Sequence, residues 1–204
     1  RCNLAISLRG IENAFDDYSF AKPDEIEIID QMMNIIKQYD LSGNVTYISI
    51  NSQTELASFY RFMAKRKSIF ALTALYEPFG LAPIEAMSSG LPAVVTKYGG
   101  PSDVLFENNT KYGVLVDVFV ETSISSGIHE ALDHYTYFKD MGIKRVLDKY
   151  TWDATALRYM QAIEKIVLKG KNLETIVINK YFKDSMDKDI DLDFIIKKFI
   201  EVEK

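Results

Sequence analysis

Two glutamates eight positions apart, Glu77 and Glu85, frame the stretch Glu77-Pro78-Phe79-Gly80-Leu81-Ala82-Pro83-Ile84-Glu85. A carboxylate in a loop accepts hydrogen bonds from sugar hydroxyls, and one on the first turns of a helix can accept from a ribose diol. Between them, Gly80 leaves backbone N–H groups open to an anion, and Pro83 suits the first turn of a helix, so the segment has the makings of a phosphate site. Such a spacing also arises by chance, and acidic side chains suit helix N-termini through the dipole alone, so the pair by itself decides nothing. Downstream, Tyr98-Gly99-Gly100-Pro101 adds a turn whose glycines allow close approach or unusual backbone angles.

The elements that must position this segment follow from hydrophobic periodicity. Leu4–Leu8 reads as a strand. Pro23-Asp24-Glu25 starts a helix in which Ile26, Ile29, Met33 and Ile36 recur at helical spacing up to Leu41-Ser42-Gly43. Val45–Ile50 is β-branched and aromatic and reads as a strand, followed by a helix from about Thr54 to Lys67. Ser68–Thr73 suits a strand buried on both faces, Pro83–Ser89 a helix, Pro92–Thr96 another buried strand and Gly113–Asp117 one more. Thr122 to Leu168 reads as wholly helical.

Strands alternating with helices predict a doubly wound, mostly parallel α/β sheet of Rossmann-like form, with a helical extension. Ligands of such sheets bind beyond the carboxyl ends of the strands, here in the loops after Ile50, Thr73, Thr96 and Asp117. The domain is expected over residues 1–168. Residues 169–204 form a tail with no assigned role, in which Thr175–Ile178 suggests a strand, Asp184–Asp193 is acidic and Phe194–Val202 looks helical.

At 204 residues, 48% hydrophobic and 26% charged, the chain has the balance of a soluble globular protein. Its net charge of -5 repels a phosphate backbone, so nucleic acid is not an expected partner. Lys65-Arg66-Lys67 reads as a solvated helix C-terminus. Cys2 has no cysteine to pair with, which points to a reducing, cytoplasmic compartment. No apolar run reaches the roughly 20 residues needed to cross a bilayer, and no signal-peptide order is present. The sequons at Asn44 and Asn108 carry no weight. The chain opens almost directly on a strand without an initiator Met, so an upstream part is expected.

Other chemistries lack their signatures. There is neither the Gly-x-Gly-x-x-Gly of a dinucleotide-binding dehydrogenase nor a P-loop. His129 and His134 are five apart, off the spacing for two ligands on one helix face, and no metal or other cofactor is expected. Asp16-Asp17 reads as a turn. Two carboxylates could also serve a glycoside hydrolase, but a loop opening a helix in a parallel sheet suits a diphosphate better.

Glu77-Pro78-Phe79-Gly80-Leu81 through Glu85-Ala86, with Ser89-Gly90-Leu91-Pro92 and Gly99-Gly100-Pro101, resembles the signature of GT4-type retaining glycosyltransferases. The resemblance runs from about Leu4 to Tyr159, and Leu8-Arg9-Gly10-Ile11, Asn51-Ser52-Gln53 and Tyr150-Thr151-Trp152 look most like bacterial sucrose-phosphate synthases within that family. It implies the C-terminal domain of a two-domain GT-B enzyme, binding a nucleoside-diphosphate sugar and facing acceptor contacts from a separate N-terminal domain. By the resemblance, Glu77 would bind donor-sugar hydroxyls, the backbone of Phe79, Gly80 and Leu81 would lie against sugar and diphosphate, and Glu85 would hold the ribose. The domain's first strand, and the arginine and lysine that hold the diphosphate, would lie before Leu4. The implied reaction is transfer from UDP-glucose to fructose 6-phosphate. GDP-mannose, as in mannosylfructose-phosphate synthases, is the alternative donor, and a non-catalytic nucleotide-binding module the alternative class.

Overall fold

The structure, a computed structural model, describes residues 3–7, 18–19 and 21–169. In chain order the elements are β1 (Leu4–Ser7), α1 (Pro23–Gln38), β2 (Val45–Ile48), α2 (Gln53–Lys65), β3 (Phe70–Leu72), α3 (Leu81–Ser88), β4 (Ala93–Thr96) and α4 (Pro101–Leu105). The series continues with β5 (Phe106–Glu107), β6 (Thr110–Lys111), β7 (Val114–Val116), α5 (Glu121–Asp133), α6 (Tyr135–Lys149) and α7 (Trp152–Lys169). The chain divides after Thr155 into two units, Arg1–Thr155 and Ala156–Lys204; the described part of the second is helical. The expected tail elements, Leu8–Ile11 and Asp16-Asp17 lie outside the described residues.

The helix starts obey local chemistry. Pro23 opens α1, where the Glu25 carboxylate accepts from the Lys22 N–H at 3.0 Å. Ser52 caps α2 by accepting from the Glu55 N–H at 3.2 Å, while Glu55 accepts from the Asn51 N–H at 2.8 Å. Lys65 ends α2, Arg66 caps it over the Phe62 ring, and Lys67 turns left-handed at φ 56°, so the basic cluster is the solvated helix end its sequence suggests.

The parallel pairing predicted from the βα alternation is present, in a two-stranded sheet β1-β2 and a three-stranded sheet β3-β4-β7. β1 pairs with β2 in the register Leu4↔Val45 to Ser7↔Ile48, and β4 lies between β3 and β7 with Phe70↔Ala93 and Val94↔Val114, all parallel. Strand alternation then sorts β4 onto two cores. Ala93 and Val95 pack with Ile84 and Met87 of α3, Leu105 of α4 and Val146 of α6. Val94 packs with Val114 and Val116 of β7, Ala131 of α5 and Phe138 of α6. A strand buried on both faces describes β4 but not β3: Ala71 is exposed, because β3 lies at the edge of this sheet among the described residues.

The stretch read as wholly helical is three helices, broken at His134 and at Tyr150-Thr151. Asn108 and Asn109, unweighted as a sequon, form the two-residue turn of the hairpin β5–β6, both left-handed at φ 49° and 62°.

Arg145 on α6 is the buried cation of this core, 3% exposed. It donates to the Val104 carbonyl at 2.9 Å, the Asp103 carbonyl at 2.7 Å and the Glu107 carboxylate at 2.7 Å, and lies 4.6 Å from the centre of the Tyr112 ring. The two carbonyls belong to the end of α4, a five-residue helix that has few internal bonds of its own. Gly127 of α5 rests on β7 so closely that a Cβ there would come within 2.3 Å of Val116.

In urea denaturation, Arg145→Met is expected to cost about 1–3 kcal/mol, because it leaves the buried Val104 carbonyl without its donor while Lys149 still pairs with Glu107. Gly127→Ala is expected to cost about 1–3 kcal/mol through overpacking. An unchanged midpoint for either would show that α6 or α5 does not hold the sheet in this way.

Candidate functional site

β3 ends at Leu72 and delivers the chain into the loop Thr73–Gly80, and β4 ends at Thr96 and delivers it into Lys97–Gly100. The two loops lie main chain against main chain. The Glu77 N–H donates to the Tyr98 carbonyl at 3.1 Å and the Gly100 N–H donates to the Glu77 carbonyl at 3.0 Å, forming an isolated parallel bridge between Glu77 and Gly99. No side chain fits at this crossing. A Cβ on Gly99, where φ is 106°, would stand 2.1 Å from the Glu77 carbonyl oxygen, and one on Gly100 would stand 2.6 Å from that of Pro78.

Held this way, Glu77 turns its carboxylate back onto its own loop. One oxygen, Oε1, accepts from the Gly80 N–H at 3.0 Å and the Phe79 N–H at 3.3 Å. Oε2 has no partner among the described residues. Gly80, left-handed at φ 98°, caps α3 without a side-chain bond, so Leu81 and Ala82 carry its first two helical amides and Pro83 occupies the third position. Of the backbone expected to face an anion, the Phe79 and Gly80 amides are thus occupied by Glu77, while those of Leu81 and Ala82 have no partner among the described residues and present the positive end of α3.

Glu85 lies one turn into α3 on a different wall. With Gln53, Leu56, Ala57, Tyr60 and Arg61 of α2 and Ser88 and Ser89 it lines a cleft of about 340 Å³. Tyr60, invisible to the sequence reading except as a helix residue, is 8% exposed; burial first, and the Glu85 charge second, push its phenol up to about 12. Leu75, Tyr76, Phe79 and Leu81, all in or next to the Glu77 loop, expose their side chains. Among the described residues no three His, Cys, Asp or Glu side chains gather to hold a metal, and no helix is long and apolar enough to cross a membrane.

A raised phenol pKa keeps Tyr60 protonated in the folded state after an unfolded tyrosine ionises, so its folded-state advantage is lost as pH rises from about 10 through about 12. Glu85→Gln removes a negative charge that disfavours the phenolate, and is expected to lower the Tyr60 midpoint in an NMR titration assigned with Tyr60→Phe. An unmoved midpoint would show that the two groups do not interact. Separately, Gly99→Ala and Gly100→Ala are expected to cost about 2 kcal/mol or more each, since main chain must move; denaturation midpoints equal to wild type would contradict the close crossing.

Residues 28–144 match the family model described as Glycosyl transferases group 1. The probable sucrose-phosphate synthase of Thermosipho melanesiensis is 40% identical over 140 residues, covering 69% of this chain and 30% of that protein. A sucrose-phosphate synthase structure from Thermosynechococcus elongatus aligns with a TM-score of 0.57 at 24% identity, over 80% of this chain and 38% of that one. The Anabaena protein HepE, solved in complex with UDP, aligns with a TM-score of 0.55 at 18% identity, over 72% of this chain and 38% of that one. The chain thus spans roughly a third of the length of these relatives, and the fold it shares with the solved structures is that of GT-B glycosyltransferases. With 117 of its residues matched to the family model, from 28 to 144, this chain belongs to the group 1 glycosyl transferases.

Proposed function

We propose that this chain is the donor-binding half of a retaining glycosyltransferase that moves a hexose from a nucleoside-diphosphate sugar to a sugar or sugar-phosphate acceptor. The preferred reaction is glucosyl transfer from UDP-glucose to fructose 6-phosphate, with acceptor contacts supplied by a separate domain. The observation that carries this reading is the division of labour along one short segment. Glu77 offers an uncommitted carboxylate oxygen, the start of α3 offers two open amides, and Glu85 borders a cleft large enough for a nucleoside. In sequence order these suit a sugar, a diphosphate and a ribose.

In this reading the Leu81 and Ala82 amides and the α3 dipole stabilise the charge that develops on the leaving diphosphate, while Glu77 orients the sugar through its hydroxyls. Glu77 acts by binding and needs no covalent step. No metal or other cofactor is invoked, and the reaction is placed in the cytoplasm, in keeping with the lone cysteine. HepE's complex with UDP supports a uridine nucleotide as the first ligand to test.

Calorimetric titration of this chain with UDP, GDP, ADP and NAD is expected to show one nucleoside diphosphate bound selectively, UDP first. Glu85→Ala should weaken it by about tenfold, the worth of one or two ribose hydrogen bonds. UDP-glucose should bind more tightly than UDP, and Glu77→Ala should erase that difference. Selective binding of GDP would move the donor to GDP-mannose. A folded chain that binds none of the four would overturn the donor-site reading.

A further inference from the structure

The carboxyl end of β7 carries a group that the reading above does not use. Asp117, immediately after β7, accepts from the Lys97 ammonium at 2.8 Å through Oδ2, and through Oδ1 from the Phe119 N–H at 3.1 Å and the Tyr98 hydroxyl at 3.2 Å. Its own N–H donates to the Ser123 hydroxyl at 2.9 Å. The Tyr98 ring stands edge-on to Phe119 with centroids 5.4 Å apart, and the Tyr98 N–H donates to the hydroxyl of the buried Thr96 at 3.3 Å. Tyr98 is thereby fixed at its ring, its hydroxyl and its amide, and its remaining polar group, the carbonyl, receives the Glu77 N–H.

We propose that Asp117 is a positioning residue for Glu77, acting through Tyr98 to hold the Glu77 loop in the conformation that leaves one carboxylate oxygen open to a ligand. The path has two links, Asp117 to the Tyr98 hydroxyl and the Tyr98 carbonyl to the Glu77 main chain. An ion pair as exposed as Lys97–Asp117, with side chains 47% and 24% accessible, contributes little to stability by itself. Its bond from the Tyr98 hydroxyl is what gives it a consequence, because Tyr98 belongs to the loop that crosses Glu77. Lys97 holds the Asp117 carboxyl below its ordinary range, assisted by the Phe119 amide, and Asp117 raises Lys97 in turn, so both stay charged around neutral pH.

The inference rests on the reading of Glu77 as a sugar-binding group, and two readouts separate the claims. The first needs no ligand: NMR hydrogen exchange at the Phe79 and Gly80 amides, which the Glu77 carboxylate protects. Asp117→Asn, and Tyr98→Phe as a milder second variant, are expected to speed that exchange by about tenfold relative to Lys111→Met, which breaks a remote surface pair. The second is the affinity ratio of UDP-glucose to UDP, expected to fall about three- to tenfold in both variants while UDP affinity itself is kept. A purely structural staple would leave the ratio unchanged. Unchanged exchange at Phe79 and Gly80 in Tyr98→Phe would overturn the proposal. Altered exchange in a chain that never prefers UDP-glucose would retain Asp117 as a positioning residue and discard the sugar role of Glu77.

Discussion

The placement of Glu77 depends on two backbones touching where the loops after β3 and β4 cross. The exchange of N–H and C=O groups between Glu77 and the Tyr98–Gly100 segment extends sheet-like bonding one step past the strands, into a region where loops are ordinarily free to differ. That step requires glycine at two successive positions, because the partner carbonyls stand where a Cβ would go. Once made, it gives the β3–α3 loop a rigid reference, and Glu77 can fold over the Gly80 turn without the loop drifting. The fully buried β4 is the foundation under this crossing, since it carries the second loop and is gripped by helices on both faces.

A second tier of constraint comes from α6. α4 follows the glycine pair directly, yet is too short to be stable on its own, and its last carbonyls are satisfied by the buried Arg145 guanidinium. Lys149 joins Arg145 on Glu107, tying the hairpin to the same helix. The result is a site whose polar groups sit on the Glu77 loop and the start of α3, with the neighbouring β4–α4 segment tied to the core through α6, which is the arrangement that preorganisation calls for.

The period-2 and period-3.6 patterns made the strands and early helices legible, and Pro23 marked a helix start through local chemistry alone, whereas the caps at Ser52 and Gly80 set α2 and α3 going slightly ahead of the expected Thr54 and Pro83. The glycine turn at Gly99-Gly100 was legible as a place of close approach, though not what approaches it, because the partner is main chain 22 residues earlier. The break between α5 and α6 was not legible: His134 is neither glycine nor proline, and helical periodicity runs through it. Asn108-Asn109 carried a turn signal that was read only as a sequon. Arg145 and Tyr60 carry no signal in the sequence, and Asp117 only that of a strand end, for a shared reason. Each looks like an ordinary residue of its element, and its meaning comes from groups brought near only by the fold. The self-directed Glu77 carboxylate is of the same kind, since spacing places the glutamate near the turn but does not say which way its oxygens face.

The crossing at Gly99 and Gly100 also bears on how such a protein diversifies. With two neighbouring positions closed to every side chain and the loop backbone fixed against them, random substitution there is purged by folding before it is tested by function. Variation is channelled instead to Leu75, Tyr76, Phe79 and Leu81, whose side chains face solvent beside the same turn. A designer seeking a new ligand preference would therefore leave the backbone frame untouched and build the library at these four positions.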